Sequence, residues 1–196
     1  MHQEKKLVLA TGNEGKKKEI EYLLRGFDLE IYSLRDFDGL PEVDEDQPTL
    51  EGNAEKKARV IHELLGIPTL ADDTGLEVDA LDGRPGVYSA RYAGEDGNAD
   101  ANRALLLKEM ADKKNRAARF RTVLAYFING EKHLFQGVCE GEIIGRERGI
   151  GGFGYDPVFL PENSEMTFAE MSVEEKNKIS HRGKALREFV HHLSKK

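Results

Sequence analysis

The first third of the chain alternates short apolar runs with helical periodicity, a pattern that confines it to an α/β fold on a partly parallel sheet. Leu7-Val8-Leu9-Ala10 predicts a buried strand and Thr11-Gly12-Asn13 a turn. Ile20, Leu23, Leu24 and Phe27, at i, i+3, i+4 and i+7, then predict a helix. A second strand over residues 29–32 leads through an acidic stretch, 42–46, to a second helix with Ala54, Ala58, Ile61 and Leu65 on one face. Residues 68–71 predict a short third strand. The middle of the chain changes the sheet's character. After a helix over 99–110, the apolar run 120–128 ends at Asn129-Gly130, the strongest short-range hairpin signal, so 131–139 is expected to return antiparallel and the sheet to be mixed. A C-terminal helix carries Leu186, Phe189, Val190 and Leu193 at core spacing, with Ser180, His181 and Arg182 at its start.

The 196 residues contain no internal repeat, low-complexity tract or linker, and read as one domain. No apolar run approaches the ~20 residues that cross a bilayer, so no membrane association is expected. The six N-terminal residues are polar and run into only four apolar ones, which predicts no secretory signal. The single cysteine, Cys139, can form no internal disulfide and lacks the spaced partners of a zinc site, which fits a reducing cytoplasm. A net charge of −7 argues against binding polymeric nucleic acid, which demands a basic face. It does not exclude one nucleotide, because screening beyond about 10 Å leaves local charge decisive.

Four segments could carry chemistry. Thr11-Gly12-Asn13-Glu14-Gly15-Lys16 joins a buried strand to a helix, where free backbone N–H groups and the positive end of the helix dipole favour phosphate; it is neither a Walker loop nor a dinucleotide loop, and a capped turn with a solvated lysine is the plain alternative. In Ala71-Asp72-Asp73-Thr74-Gly75-Leu76, two acids follow the third strand and offer hard oxygen ligands for Mg²⁺ and a base for water. Consecutive side chains of an extended chain point apart, so the acids share a ligand only if the chain turns, as Gly75 would allow. An Asx-turn with a capping aspartate is the alternative there. The run 149–157 has four glycines around Phe153 and Tyr155, a composition for stacking a purine or for a sheet corner; Asp156-Pro157 predicts an extended Asp156. The run 175–184 places Ser180, His181 and Arg182 in one turn, donors able to read a keto oxygen, where a charge run is more often a solvated helix face.

Taken together, these segments resemble the inosine triphosphate pyrophosphatase family, in particular its bacterial dITP/XTP pyrophosphatase branch. The matching motifs are Ala10-Thr11-Gly12-Asn13 with Lys16, Glu51-Gly52-Asn53-Ala54 with Lys57-Ala58, and Ala71-Asp72-Asp73-Thr74-Gly75-Leu76. Pro85-Gly86-Val87-Tyr88-Ser89-Ala90-Arg91-Tyr92, Gly151-Gly152-Phe153-Gly154-Tyr155-Asp156-Pro157, and Glu175-Lys176 with Ser180-His181-Arg182 continue them, in family order along nearly the whole chain. The resemblance implies an elongated α/β fold, with a long mixed sheet bridging two lobes, flanking helices, a nucleotide cleft between the lobes, and a homodimer. It implies that Thr11, Gly12, Asn13, Glu14, Gly15 and Lys16, helped by Lys57, hold the phosphates. Asp73 then corresponds to the catalytic acid, and Asp73, Asp72 and Glu45 to the Mg²⁺ ligands. Thr74 stands where many members have serine. Phe153, Gly154, Tyr155 and Asp156 correspond to the base and sugar site, and Lys176, His181 and Arg182 to the residues reading the base. Near Glu45 the chain has Asp46-Gln47-Pro48-Thr49, where members commonly place a glycine before the threonine. The implied reaction splits non-standard purine nucleoside triphosphates into monophosphate and pyrophosphate. A general or pyrimidine-directed nucleotide phosphatase, and a nucleotide-binding module without catalysis, are the competing readings.

Overall fold

A computed structural model describes residues 5–94 and 97–195; the first four residues of the polar N-terminal stretch lie outside it. The chain runs β1 (Lys6–Leu9), α1 (Glu14–Leu24), β2 (Glu30–Ser33), α2 (Leu50–Leu65), β3 (Thr69–Val78), β4 (Pro85–Gly86), α3 (Ala99–Glu109), β5 (Ala117–Ile128), β6 (Glu131–Ile143), β7 (Phe159–Pro161), α4 (Val173–Ile179) and α5 (His181–Leu193). The strands form one sheet in the order β2-β1-β3-β5-β6-β7, with β4 beside β3. It is mixed, as the sequence predicts: β1 is parallel to β2 and β3, whereas β3/β4 and β6/β7 are antiparallel. Asn129 and Gly130 turn β5 into β6 with φ of 52° and 79°, the two positive values a two-residue hairpin turn requires.

By contacts the chain forms two compact units: Met1–Asp73, Thr122–Gly137 and Ala185–Lys196 in one, Thr74–Arg121 and Val138–Lys184 in the other. In the first, Leu7, Leu9, Leu70, Leu124, Tyr126 and Ile128 pack against Ile20 and Leu24 of α1 and Leu186 and Phe189 of α5. Alternation along the strands sends Val8, Ala71 and Phe127 to the other face. There α2 buries Ala54, Ala58 and Ile61, with His62 lying 6.1 Å from the Phe127 ring. In the second unit, Leu76, Val78, Leu106, Phe120, Ile143, Tyr155, Phe159 and Phe168 share a core. Burying each such side chain contributes roughly 1.5–3 kcal/mol.

Three sequence expectations need correction. The third strand is not confined to 68–71 but continues to Val78, so Asp72, Asp73 and Gly75 lie within it and no turn occurs at Gly75. Gly75 is needed for close approach instead, since a Cβ there would stand 2.7 Å from the Gly86 carbonyl oxygen of β4. Helix α1 ends at Leu24, short of Phe27, which still packs on the same core from the turn that follows. Asp156 opens a single-turn 3-10 helix, Asp156–Val158, rather than an extended segment, because its own side chain accepts the Phe153 N–H (2.8 Å) and folds the loop back. Cys139 is 4% exposed, and burial pushes its thiol up to about 11, leaving it protonated and idle at neutral pH. Among the described residues no helix is long and apolar enough to cross a membrane.

Candidate active site

The acids of β3 illustrate how an extended strand distributes charge. Asp72 points to the α1 face, the side of Leu70, and Asp73 to the α2 face, the side of Ala71. Each meets a lysine from the helix covering its face. Lys16 Nζ lies 2.6 Å from Asp72 Oδ1, and Lys57 Nζ 3.0 Å from Asp73 Oδ1. Lys57 also donates to Glu45 Oε1 (2.5 Å) and the Asp72 carbonyl (2.8 Å), so all three of its N–H groups are used. Asp73 and Glu45 therefore converge on one positive charge, while the Asp72 carboxylate pairs with Lys16, whose ammonium also reaches the Asp72 carbonyl (3.4 Å) that Lys57 shares.

Burial holds the Asp73 carboxyl above the usual carboxylate range, against the pull of Lys57 and Lys16. Burial also pushes the Lys57 ammonium down, but Asp73 and Glu45 together outweigh it and leave Lys57 above its ordinary value. Among the described residues no group of three or more His, Cys, Asp or Glu side chains forms a metal cage. The first loop is built as a cap. Asn13 Oδ1 accepts the Lys16 N–H (3.0 Å), and Thr11 Oγ1 accepts the Asn13 N–H (3.2 Å). Glu14, in the first turn of α1, pairs with Arg35 (3.0 Å).

In the second unit, Lys176 of α4 forms a buried ion pair with Asp156 at 2.6 Å, with side chains 4% and 3% exposed. The same Asp156 oxygen receives the Phe153 N–H. The Lys176 ammonium and the Arg182 guanidinium lie 4.6 and 5.6 Å from the centroid of the half-buried Phe153 ring. Arg182 also donates to Thr74 Oγ1 (3.0 Å). These residues meet because the charge run is not one solvated helix: Ser180 ends α4 in an extended conformation, and its hydroxyl caps α5 by accepting the Gly183 N–H (3.1 Å). His181 is buried, its ring stacked 4.6 Å from Phe120, and Tyr155 sends its hydroxyl to the Ser89 carbonyl (2.8 Å) in the core.

The Ham1 family model matches residues 7–192. The chain belongs to the Ham1 family. Among curated Ham1 relatives, the dITP/XTP pyrophosphatase of Flavobacterium johnsoniae is 48% identical over 185 residues, 94% of this chain and 96% of that one. The dITP/XTP pyrophosphatase of Desulforamulus reducens is 50% identical over 193 residues, 97% and 96% of the two chains. A HAM1 protein from Coxiella burnetii has a similar solved structure, with a TM-score of 0.89 at 38% identity, covering 97% of this chain and 99% of that one.

One residue beside Asp73 was assigned no role by sequence reasoning. Asn53 is fully buried on α2, its Oδ1 accepting the Gln47 N–H (2.9 Å) and its Nδ2 facing Asp73 Oδ2 (3.3 Å). A backbone N–H can only donate, so the amide orientation is settled and Asp73 must accept. Asn53 thus ties the acidic loop carrying Glu45 to the buried acid. Its place in Glu51-Gly52-Asn53-Ala54 was the available signal, since a polar residue one position before the apolar face is otherwise unremarked. Asn53→Ala strands both groups and is expected to cost about 1–3 kcal/mol, measured by thermal unfolding; a wild-type melting temperature would show that the amide bridges nothing.

Proposed function

We propose that this chain hydrolyses non-standard purine nucleoside triphosphates, those of inosine, deoxyinosine and xanthosine, to the monophosphate and pyrophosphate, and so cleanses the nucleotide pool. The observation carrying the chemistry is the buried Asp73 carboxylate, raised by burial and held by donors on both oxygens. The dITP/XTP pyrophosphatases to which the chain is similar support the substrate class.

Asp73 orients a water for attack on the α-phosphorus and takes its proton at a carboxylate oxygen. The α–β anhydride bond breaks and pyrophosphate leaves with the bond's electron pair. A carboxyl raised by burial is the stronger base for that step. Lys16 and the first-turn amides of α1, in Thr11–Lys16, face the triphosphate's charge, and Lys57 balances the two acids. The donor set fits Mg²⁺: Asp73 and Glu45 oxygens already converge on a cation, and this ion takes one or two carboxylates with substrate phosphates rather than a full protein cage. When bound there, Mg²⁺ supplies Lewis-acid neutralisation of the phosphate charge. Asp72 keeps Lys16 in place.

At the base end, Phe153 supplies an aromatic face, and Lys176, Arg182 and the neighbouring His181 supply donors for the 6-keto oxygen. Adenine offers an amino group at that position and leaves buried donors unpaired, a mismatch worth about 10⁴-fold or more in a site built on such bonds. We read the chain further as a cytoplasmic homodimer. The test is a product assay on inosine, xanthosine, adenosine and guanosine triphosphates, with Mg²⁺ and with chelator. Pyrophosphate from the first two alone, abolished by chelator, is expected; inorganic phosphate as the product, or equal rates on all four, rejects the reading.

A further inference from the structure

We infer that Arg103 is a positioning residue for purine binding: its guanidinium ties the glycine-rich loop to α3 and so keeps Phe153 in the binding geometry. The inference rests on the reading of residues 153–156 as the base site. The loop is intrinsically loose, with Gly149, Gly152 and Gly154 at φ of 84°, 68° and 58°.

Its first half is held by close packing. A Cβ on Gly149 would stand 2.5 Å from the Ala169 carbonyl carbon, and the Gly151 N–H donates to the Ala169 oxygen (3.0 Å). Its second half is different, because a Cβ on Gly154 would meet nothing within 4 Å. The residues after it are fixed by the buried Tyr155 and by Asp156, which accepts the Phe153 N–H and pairs with Lys176. The Gly154 peptide between them and Phe153 is held by Arg103 Nη1, donating to its carbonyl at 2.9 Å from 51 positions earlier in the chain.

The same guanidinium pairs through Nε with Glu147 (2.9 Å), on the loop's entry side, and through its other nitrogen with Asp100 (2.5 Å) on its own helix. The Arg103 side chain is only 12% exposed, although Glu147 and Asp100 are 44% and 88% exposed. One planar group thus hydrogen-bonds the Gly154 carbonyl and its own helix while setting its charge beside Glu147 at the loop's entry, which a single ammonium does less well. The bonds of Arg103 go to the loop and to its own helix, so its loss acts first on the loop. An untied loop presents Phe153 correctly only part of the time, and apparent affinity falls by that fraction.

Arg103→Ala and Arg103→Lys test this by two readouts: steady-state pyrophosphate release from inosine triphosphate, and amide hydrogen exchange across residues 149–156. If the loop is competent about a tenth of the time, the Ala variant raises KM about ten-fold. Its kcat stays within about two-fold of wild type, because only binding is affected. Amides 151–155 exchange faster in the Ala variant, and the Lys variant, keeping one donor for Gly154, lies between the two. A wild-type KM, unchanged loop exchange, or kcat falling in step with lost folded protein would overturn the inference. Absence of pyrophosphate release from the wild type would instead overturn the proposed function, and the exchange experiment would still decide whether Arg103 holds the loop.

Discussion

Asp73→Asn is expected to lower kcat on inosine triphosphate by about 10²–10⁴-fold, the range for removing a general base. The amide is nearly isosteric but cannot take the water's proton. It also disturbs the donors around it in an unequal way. Lys57 can still donate to the remaining oxygen, but an amide nitrogen toward Asn53 Nδ2 sets donor against donor. Asn53 cannot turn around to relieve this without abandoning the Gln47 N–H. A stability loss of about 1–3 kcal/mol accompanies the substitution, offset in part by removing a buried charge. Rates are therefore compared per folded molecule, with the folded fraction taken from thermal unfolding. Wild-type turnover by the variant would remove Asp73 from the chemistry.

Gly183→Ala is expected to destabilise the fold by steric overlap alone. A Cβ on Gly183 would lie 1.9 Å from the Asn177 carbonyl oxygen and 2.9 Å from its carbon, both backbone atoms that no side-chain rotation can move. Alanine favours a helix over glycine by about 1 kcal/mol, but overpacking of this kind costs about 3 kcal/mol or more. Net destabilisation near 2 kcal/mol would lower the melting temperature by roughly 4–8 °C in a chain of this size. The break at Ser180 between α4 and α5 opens, and with it the arrangement of Lys176 on one helix and Arg182 on the other, so KM for inosine triphosphate rises too. A variant melting at the wild-type temperature would show that the two helices do not approach so closely.

Much of the local structure was readable from neighbours in the chain. The Thr11-Gly12-Asn13 turn before α1, the Asn129-Gly130 turn, the apolar faces of α1, α2 and α5, and the mixed sheet all rest on spacings of a few residues. Local chemistry governs those features, because a cap, a positive φ or a helical face involves only nearby backbone. Of the motif residues, the structure brings Lys16 to Asp72 and Lys176 to Asp156.

What the tertiary structure decided is how those segments use their side chains. The sequence suggested a turn at Gly75 bringing both acids to one ligand; β3 instead stays extended, and each acid faces a different helix. Asn53 lies 20 positions from Asp73, and Arg103 lies 51 from Gly154. No periodicity encodes contacts at such separations, since they exist only after packing has brought α2 to one face of the sheet and α3 beside the loop. Residue types and local backbone were therefore set by the amino-acid order alone, whereas the pairing of buried charges and donors followed from burial, which makes an unpartnered polar group too costly to leave.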